Sequence, residues 1–240
     1  STPLARRSSA SSGSIMARTS AWRRRLVIMV RDPVAGRTKT RLAHDIGQAA
    51  ALKFYRANLR AVTLRLANDP RWQTVLSVDP PTAVRSRAFP GFLPRSPQIR
   101  GDIGQRMQRA LEAPMPAGPT SGPVVLIGSD IHTVRPAHIA DAFRLLARND
   151  LVFGPSADGG FWLIGMRRSP RLVESFPGPV SWSSPDTLAD CIRALPGLRI
   201  GFAETLSDTD AAADLERVGG AAGRLGVPAR PETDDCPLRA

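Results

Sequence analysis

Residues 31–41 place four permanent cations (Arg31, Arg37, Lys39 and Arg41), two hydroxyls (Thr38 and Thr40) and Gly36 in one short stretch. Guanidinium forks bind phosphate oxygens in pairs, and a lysine ammonium adds a compact point charge. The inventory therefore suits a polyphosphate such as that of a nucleotide. Lys39 is conspicuous because the chain holds 31 Arg and only 2 Lys. Either a flexible ammonium is needed there or the residue is a chance survivor of a bias toward Arg. The carboxylates that could answer this loop are Asp130, directly after Gly128-Ser129, and the pair Asp208 and Asp210. Two residues apart in an extended segment, the pair projects to one face. Carboxylates facing a cationic loop make sense with a hard divalent ion between them. Mg²⁺ (or Mn²⁺) takes one or two protein carboxylates and fills its shell with water and phosphate oxygens. Each aspartate also has a structural reading: Asp130 could hold a helix start or loop, Asp210 could cap a helix, and Asp208 could simply be solvated.

Other motifs leave two readings open. Asp158-Gly159-Gly160 is either turn chemistry or a place where a substrate approaches the backbone. Trp182 either walls an acceptor pocket or belongs to the core. Of the three histidines only His132, two residues past Asp130, could reach a site, and a surface histidine is the better account of it. Gly36-Arg37-Thr38-Lys39-Thr40 departs from a Walker A loop, having no glycine directly before the lysine.

These residues need elements to position them. The apolar run 26–30 reads as a strand buried on both faces, opening at its C-terminal end onto the cationic loop. A helix is predicted over 44–67 from the stripe Leu52, Tyr55, Leu59, Val62 and Leu66. Strands follow at 74–78 and, shorter, at 98–100, joined by a proline-rich surface connection. Asp102 is a good N-cap for a helix through Ile103, Met107, Ala110 and Leu111. Residues 124–127 form a second buried-type strand, Pro136 opens a helix to 147, and 151–153 is the next strand. Residues 161–165 follow too closely for a helical crossover and should pair antiparallel or sit in an added lobe. Ser184-Pro185 starts a helix through Leu188, Cys191 and Ile192; a last strand covers 198–202 and a terminal helix 211–225. The alternation is that of an α/β protein with a mainly parallel sheet, in which loops after strands converge on one edge.

Length and composition fit one such domain. The 240 residues suffice for one α/β core and are short for two. The expected division is a disordered basic tail over 1–22, a domain over 23–226 and a loose tail over 227–240. No apolar run approaches the roughly 20 residues of a membrane span. Cys191 and Cys236 form neither a disulfide framework nor a zinc spacing, which favours the cytoplasm. The formal charge is +12, but residues 1–25 carry six arginines and no acid. Half of the excess thus lies in an apparently disposable segment, and no basic run interleaves with aromatics. Sequence-specific nucleic-acid binding is not expected.

Several motifs, in order, resemble those of the radical-SAM/selenodomain-associated transferase family, of glycosyltransferase-A-like fold. They are the segments 33–43, 101–107, 126–130, 154–165 and 182–185, with 208–215 also matching, over roughly residues 25–217. The resemblance implies a Rossmann-like three-layer sandwich, mainly parallel with a small antiparallel addition, shared with nucleotide-diphospho-sugar transferases and with molybdenum-cofactor and phospholactate guanylyltransferases. It implies that Gly36, Arg37, Lys39 and Arg41, with Gly101 and Asp102, bind the nucleotide. It further implies that Asp130, Asp208 and Asp210 hold the metal and that Asp158, Gly159, Gly160 and Trp182 lie on the acceptor side. Lys39, Arg37 and Asp130 would be catalytic. Two departures stand out: Ile131-His132 replaces Cys-Pro, and Ala211-Ala212 replaces Thr-Pro. The expectation is a Mg²⁺-dependent nucleotidyl- or glycosyltransferase acting between a nucleotide donor and a small-molecule acceptor, an acceptor phosphate attacking in the nucleotidyl version. The alternative is a catalytically inert nucleotide-binding or scaffold protein. Acceptor and oligomeric state are not encoded legibly.

Overall fold

A computed structural model describes residues 24–34, 40–113, 122–169 and 171–206. In chain order the elements are β1 (Arg25–Arg31), α1 (Thr40–Ile46), α2 (Gln48–Ala67), β2 (Gln73–Asp79), β3 (Arg95–Pro97), α3 (Ile103–Glu112), β4 (Val124–Gly128), α4 (Pro136–Leu145), β5 (Leu151–Pro155), β6 (Phe161–Met166), α5 (Thr187–Arg193) and β7 (Ile200–Phe202). The strands form one seven-stranded sheet in the order β3, β2, β1, β4, β6, β5, β7. All neighbouring pairs are parallel except those of β6, which runs antiparallel to both β4 and β5. The short link before β6 forces this reversal, because five residues cannot carry the chain back across the sheet.

Alternation along β1 builds two cores at once. Leu26, Ile28 and Val30 face a cluster completed by Tyr55, Leu59, Val62 and Leu66 of α2 and by Ile139, Ala142 and Phe143 of α4. Val27 points the other way, into a cluster with Met107 and Leu111 of α3 and Cys191 next to Leu195 at α5. The result is a three-layer sandwich with α2 and α4 on one face and α3 and α5 on the other.

Several boundaries differ from expectation. The single helix over 44–67 is two helices, because Gly47 at φ +85° takes a conformation that interrupts the ladder. The short strand expected at 98–100 is β3, three residues earlier, with Ser96 opposite Ser77. Gln98 just beyond it donates from its backbone to Val78 O (2.8 Å) and from its side chain to Ser77 O (2.9 Å). The proline-rich connection is organised by Arg95, whose guanidinium donates to the carbonyls of Val84, Ser86, Phe89 and Pro90 at 2.9–3.1 Å. The helix from Pro136 ends at Leu145 rather than 147, and the last described strand is Ile200–Phe202 rather than 198–202. The expected terminal helix and both tails lie outside the described residues.

Arg25 corrects the charge reading. Far from being disposable, it opens β1 and is 2% exposed, its Nη2 donating to Leu111 O at 3.4 Å. Burial, with Arg168 close by, lowers its pKa to about 10, so it stays charged at neutral pH. Arg24 sits over the Phe143 ring at 5.7 Å.

Candidate active site

The order of strands reverses between β1 and β4: β2 and β3 lie to one side, and the remaining strands to the other. At such a switch point the loops leaving neighbouring strands diverge and a crevice opens at the carboxyl ends. The protein has its main cleft there, in two lobes. Lobe 1, about 430 Å³, is lined by the end of β1, Asp79 of β2, Gln98, and Ile103, Arg106 and Met107 of α3. Lobe 2, about 270 Å³, is lined by Ser156, Asp158, Gly160, Trp162 and residues 182–184 and 187. Gly128, Asp130, Ile103, Met107 and Phe161 line both. Asp130, partly exposed, therefore stands at the junction.

The junction is fixed from α2. Tyr55 hydroxyl accepts from Arg31 N (3.1 Å), donates to Arg31 O (2.9 Å) and lies 3.4 Å from Ser129 Oγ. Asn58 Nδ2, buried, donates to Ser129 O at 2.9 Å. One helix face thus ties together the ends of β1 and β4, and holds the residue before Asp130. The sequence reading took Tyr55 as part of an apolar stripe. Its ring does pack in that core, but periodicity says nothing of what the hydroxyl does.

Lobe 1 carries two cations: Arg31, counted in the cationic stretch of the sequence, and Arg106, which that stretch does not include. Arg31 Nε lies 3.1 Å from Asp79 Oδ2, and Arg106 Nη1 lies 3.9 Å from the same oxygen and donates to Gln98 Oε1 at 3.2 Å. Gln98 and Asp79 thereby hold two guanidiniums at the cleft wall. Arg106 is four residues from the N-cap of α3, on the side turned to the sheet; only the tertiary fold brings it to Asp79.

Of the expected nucleotide-binding residues, Gly36, Arg37 and Lys39 lie outside the described residues. Arg41 falls in α1, its side chain also outside. Asp102 is the N-cap it was expected to be: its Oδ1 accepts from Gln105 N (2.8 Å), and Gln105 Oε1 accepts from Asp102 N (3.1 Å). Neither Gly101 nor Asp102 lines a lobe, so the structure accounts for them through the capping box that starts α3.

On the other side, Asp158 and Gly160 line lobe 2. Asp158 Oδ1 accepts from Ser156 Oγ and from Gly160 N (3.0 Å), which makes the aspartate a turn former as well. Gly159, at φ +85°, is explained by the chain itself: a Cβ would meet Pro185 O at 2.0 Å, so what closes on this glycine is the segment before α5. Trp182 packs against the core and lines the cleft at once. Its ring meets Phe176 edge-on at 5.4 Å and lies so close to Gly104 that a Cβ there would come within 2.5 Å of Cζ2, while it also walls lobe 2. His132 lines neither lobe; its carbonyl accepts from Arg65 Nη1 at 2.7 Å. Cys191 is buried beneath α5, and burial pushes its thiol up to about 11, which removes it as a nucleophile.

Asp208 and Asp210 lie outside the described residues. The chain leading to them is described: Ala203 N donates to Phe153 O (2.8 Å), Leu206 N to Pro155 O (3.2 Å), and Trp162 Nε1 to Glu204 O (2.9 Å). Residue 206 thus reaches the end of β5, beside lobe 2, two residues before Asp208. Among the described residues no three His, Cys, Asp or Glu side chains gather around a possible metal position. A single carboxylate at the cleft junction still fits a magnesium-like ion, which takes most of its oxygens from water and phosphate.

Residues 62–184, which run from α2 through the wall of lobe 2, match the family model described as "Uncharacterized protein conserved in bacteria (DUF2064)". The chain belongs to this family. No curated protein matches it significantly by sequence. Among solved structures, the family member is similar to a protein of Desulfovibrio desulfuricans G20 described as a candidate nucleotide-diphospho-sugar transferase, with 24% identity, a TM-score of 0.68, and 83% of this chain and 87% of that one covered. It is also similar to a nucleotidyl transferase from Methanothermobacter thermautotrophicus (13%, TM-score 0.57, 84% and 98%). A third is 4-diphosphocytidyl-2C-methyl-D-erythritol synthase from Anaerococcus prevotii (8%, TM-score 0.56, 85% and 97%). At these identities the likeness establishes the fold: the mainly parallel, glycosyltransferase-A-like sandwich expected from the sequence.

Proposed function

We propose that this DUF2064 member is a divalent-metal-dependent transferase that moves a nucleotidyl or glycosyl group from a nucleoside triphosphate or nucleotide sugar to a small-molecule acceptor. The observation that carries this reading is the two-lobed cleft with Asp130 at its junction, at the switch point of the sheet. A transfer reaction needs two ligands meeting at one charged point, and a cleft of this shape provides that. Fold likeness to proteins described as a nucleotidyl transferase and a candidate nucleotide-diphospho-sugar transferase supports the reading as analogy. So do the motifs that resemble the radical-SAM/selenodomain-associated transferases.

In this proposal the donor lies in lobe 1. Arg31 and Arg106 face its phosphates or ribose, and Arg37, Lys39 and Arg41 of the segment after β1 hold the phosphates. Asp130, with Asp208 and Asp210, would hold Mg²⁺ or Mn²⁺. A bound divalent cation supplies neutralisation of charge developing on the leaving diphosphate or pyrophosphate. Lys39 and Arg37 would add positive charge there. The acceptor enters lobe 2 against Trp182. The catalytic domain is proposed as residues 23–226.

The test is turnover. Purified protein with Mg²⁺ or Mn²⁺, a panel of triphosphates and nucleotide sugars, and candidate acceptors is monitored for pyrophosphate or nucleoside diphosphate. Metal-dependent, acceptor-dependent release is expected. Nucleotide binding with no release across a broad acceptor set would instead identify an inert binder.

A further inference from the structure

The two lobes differ in charge, and the difference bears on the acceptor. Lobe 1 presents Arg31 and Arg106 beside Asp79, while the described lining of lobe 2 contains no Lys, Arg or His and, besides the shared Asp130, the carboxylate of Asp158. The rest of that lining is aromatic and hydroxylic: Phe161, Trp162 and Trp182 beside Ser156, Ser183 and Ser184. Resting on the transferase reading above, we infer that lobe 2 takes an unphosphorylated acceptor: a neutral, hydroxyl-bearing molecule with an apolar face, of the kind a sugar or cyclitol ring presents. This replaces the acceptor phosphate of the sequence reading.

Hydrogen-bonding capacity argues the same way. Asp158 Oδ1 is occupied by Ser156 Oγ and Gly160 N, which locks the carboxylate in place, whereas Oδ2 has no partner among the described residues. An ionised carboxylate only accepts, so its complement is a donor such as a hydroxyl; a phosphate oxygen, also an acceptor, leaves it unmatched and adds like-charge repulsion. Thr187 hydroxyl is consumed inside the loop, donating to Ser181 O (2.6 Å) or Ser184 O (2.8 Å), and Ser184 Oγ accepts from Asp186 N (3.2 Å). Ser183 hydroxyl has no partner among the described residues. It sits on a left-handed backbone, φ +59°, next to Trp182, a conformation rare for a residue with a Cβ and concentrated at ligand clamps. Trp182 offers the flat apolar surface, backed by Phe176 and seated over Gly104, so its position is preset.

The experiment follows the ¹⁵N indole resonance of Trp182, assigned with Trp182→Phe, in the intact chain. The probes are matched pairs at millimolar concentration: glucose and glucose 1-phosphate, myo-inositol and its monophosphate, glycerol and glycerol phosphate, with inorganic phosphate alone. At least one neutral member is expected to shift the resonance with an affinity about tenfold or more above that of its phosphorylated partner. Asp158→Asn should narrow the ratio to within about threefold by removing the like charge. Equal or stronger binding of phosphorylated members, a ratio unchanged by Asp158→Asn, or no response to any neutral probe would overturn the inference. A nucleotide titration with Mg²⁺ on the same sample is read separately by thermal shift. Loss of nucleotide binding with the neutral preference intact would sink the transferase reading and leave the selectivity of lobe 2 standing.

Discussion

Asp130 is the residue on which the two lobes converge, and substitution there separates chemistry from folding. Asp130→Asn keeps the shape and removes the charge. The expected outcome is loss of the Mg²⁺-dependent thermal shift with nucleotides while the metal-free protein still unfolds in one cooperative transition. An undiminished metal-dependent shift would remove Asp130 as a ligand. Asn58→Leu asks the opposite question. It deprives Ser129 O of its buried donor, and is expected to destabilise the fold by about 1–3 kcal/mol and to weaken nucleotide binding by misplacing the junction. Denaturant unfolding measures the first effect and calorimetric titration the second; a destabilised variant with unaltered affinity would show that α2 does not position the site. Legibility divides along the same line. Asp130 could be singled out in the sequence because a carboxylate directly after an apolar strand has little packing reason to be there. Asn58, Tyr55, Asp79 and Arg106 left no such trace. Their roles arise from partners 8 to 74 positions away in the chain, and their local patterns read as ordinary helix or strand.

At the scale of elements, the strands buried on both faces were easy to place because continuous apolar runs have few other solutions. The length of the link before β6 alone left antiparallel pairing or an added lobe, and the structure shows the former. β3 was misplaced because three residues, one of them Pro97, carry no periodicity, and the strand exists through its pairing with Leu76–Val78. The break at Gly47 was missed because the apolar stripe starts only at Leu52 and carries no information on the turn before it. The packing of α3 against lobe 2 yields a prediction at this scale. Gly104→Ala sets a methyl 2.5 Å from the Trp182 ring, which must swing out because a rigid indole cannot bend aside. The expected result is a stability loss of about 1–3 kcal/mol from overpacking, a displaced Trp182 indole resonance and reduced binding in lobe 2, with nucleotide binding in lobe 1 retained. Parallel loss of both ligands would mean that the lobes are not separable through α3.

For the whole molecule, the base of the sheet opposite the cleft is held by charge, and this sets the response to acid. Asp150 precedes β5 and reaches the chain on both sides: Arg167 Nη2 donates to its Oδ1 at 2.7 Å after β6, and Arg199 N and Nε donate to its Oδ2 at 3.1 and 3.4 Å before β7. The side-chain hydrogen bond from Arg199 does most to hold the Asp150 carboxyl below its usual value, helped by the Arg199 backbone N–H and the charges of Arg199 and Arg167, against partial desolvation. Asp69 is lowered chiefly by its hydrogen bond from Arg71, and Asp190 by that from the Ser181 backbone. A carboxyl with a depressed folded pKa binds fewer protons folded than unfolded near its titration. Its stabilisation is complete above the unfolded value of about 3.9 and drains away as pH falls through the lower folded one. Stability should therefore be flat from about pH 7 to 5 and fall below about pH 4. Because Arg199 is largely exposed, its attraction is screened, and Asp150→Asn should cost at most about 1 kcal/mol at pH 7. That difference should shrink as the pH falls below about 3.9, where the carboxyl of the unfolded chain takes up a proton, and it should also diminish with added salt. Melting curves of both proteins over this range decide the matter: a difference that persists undiminished at pH 3 would assign the loss to altered packing at the strand ends rather than to the charge of Asp150.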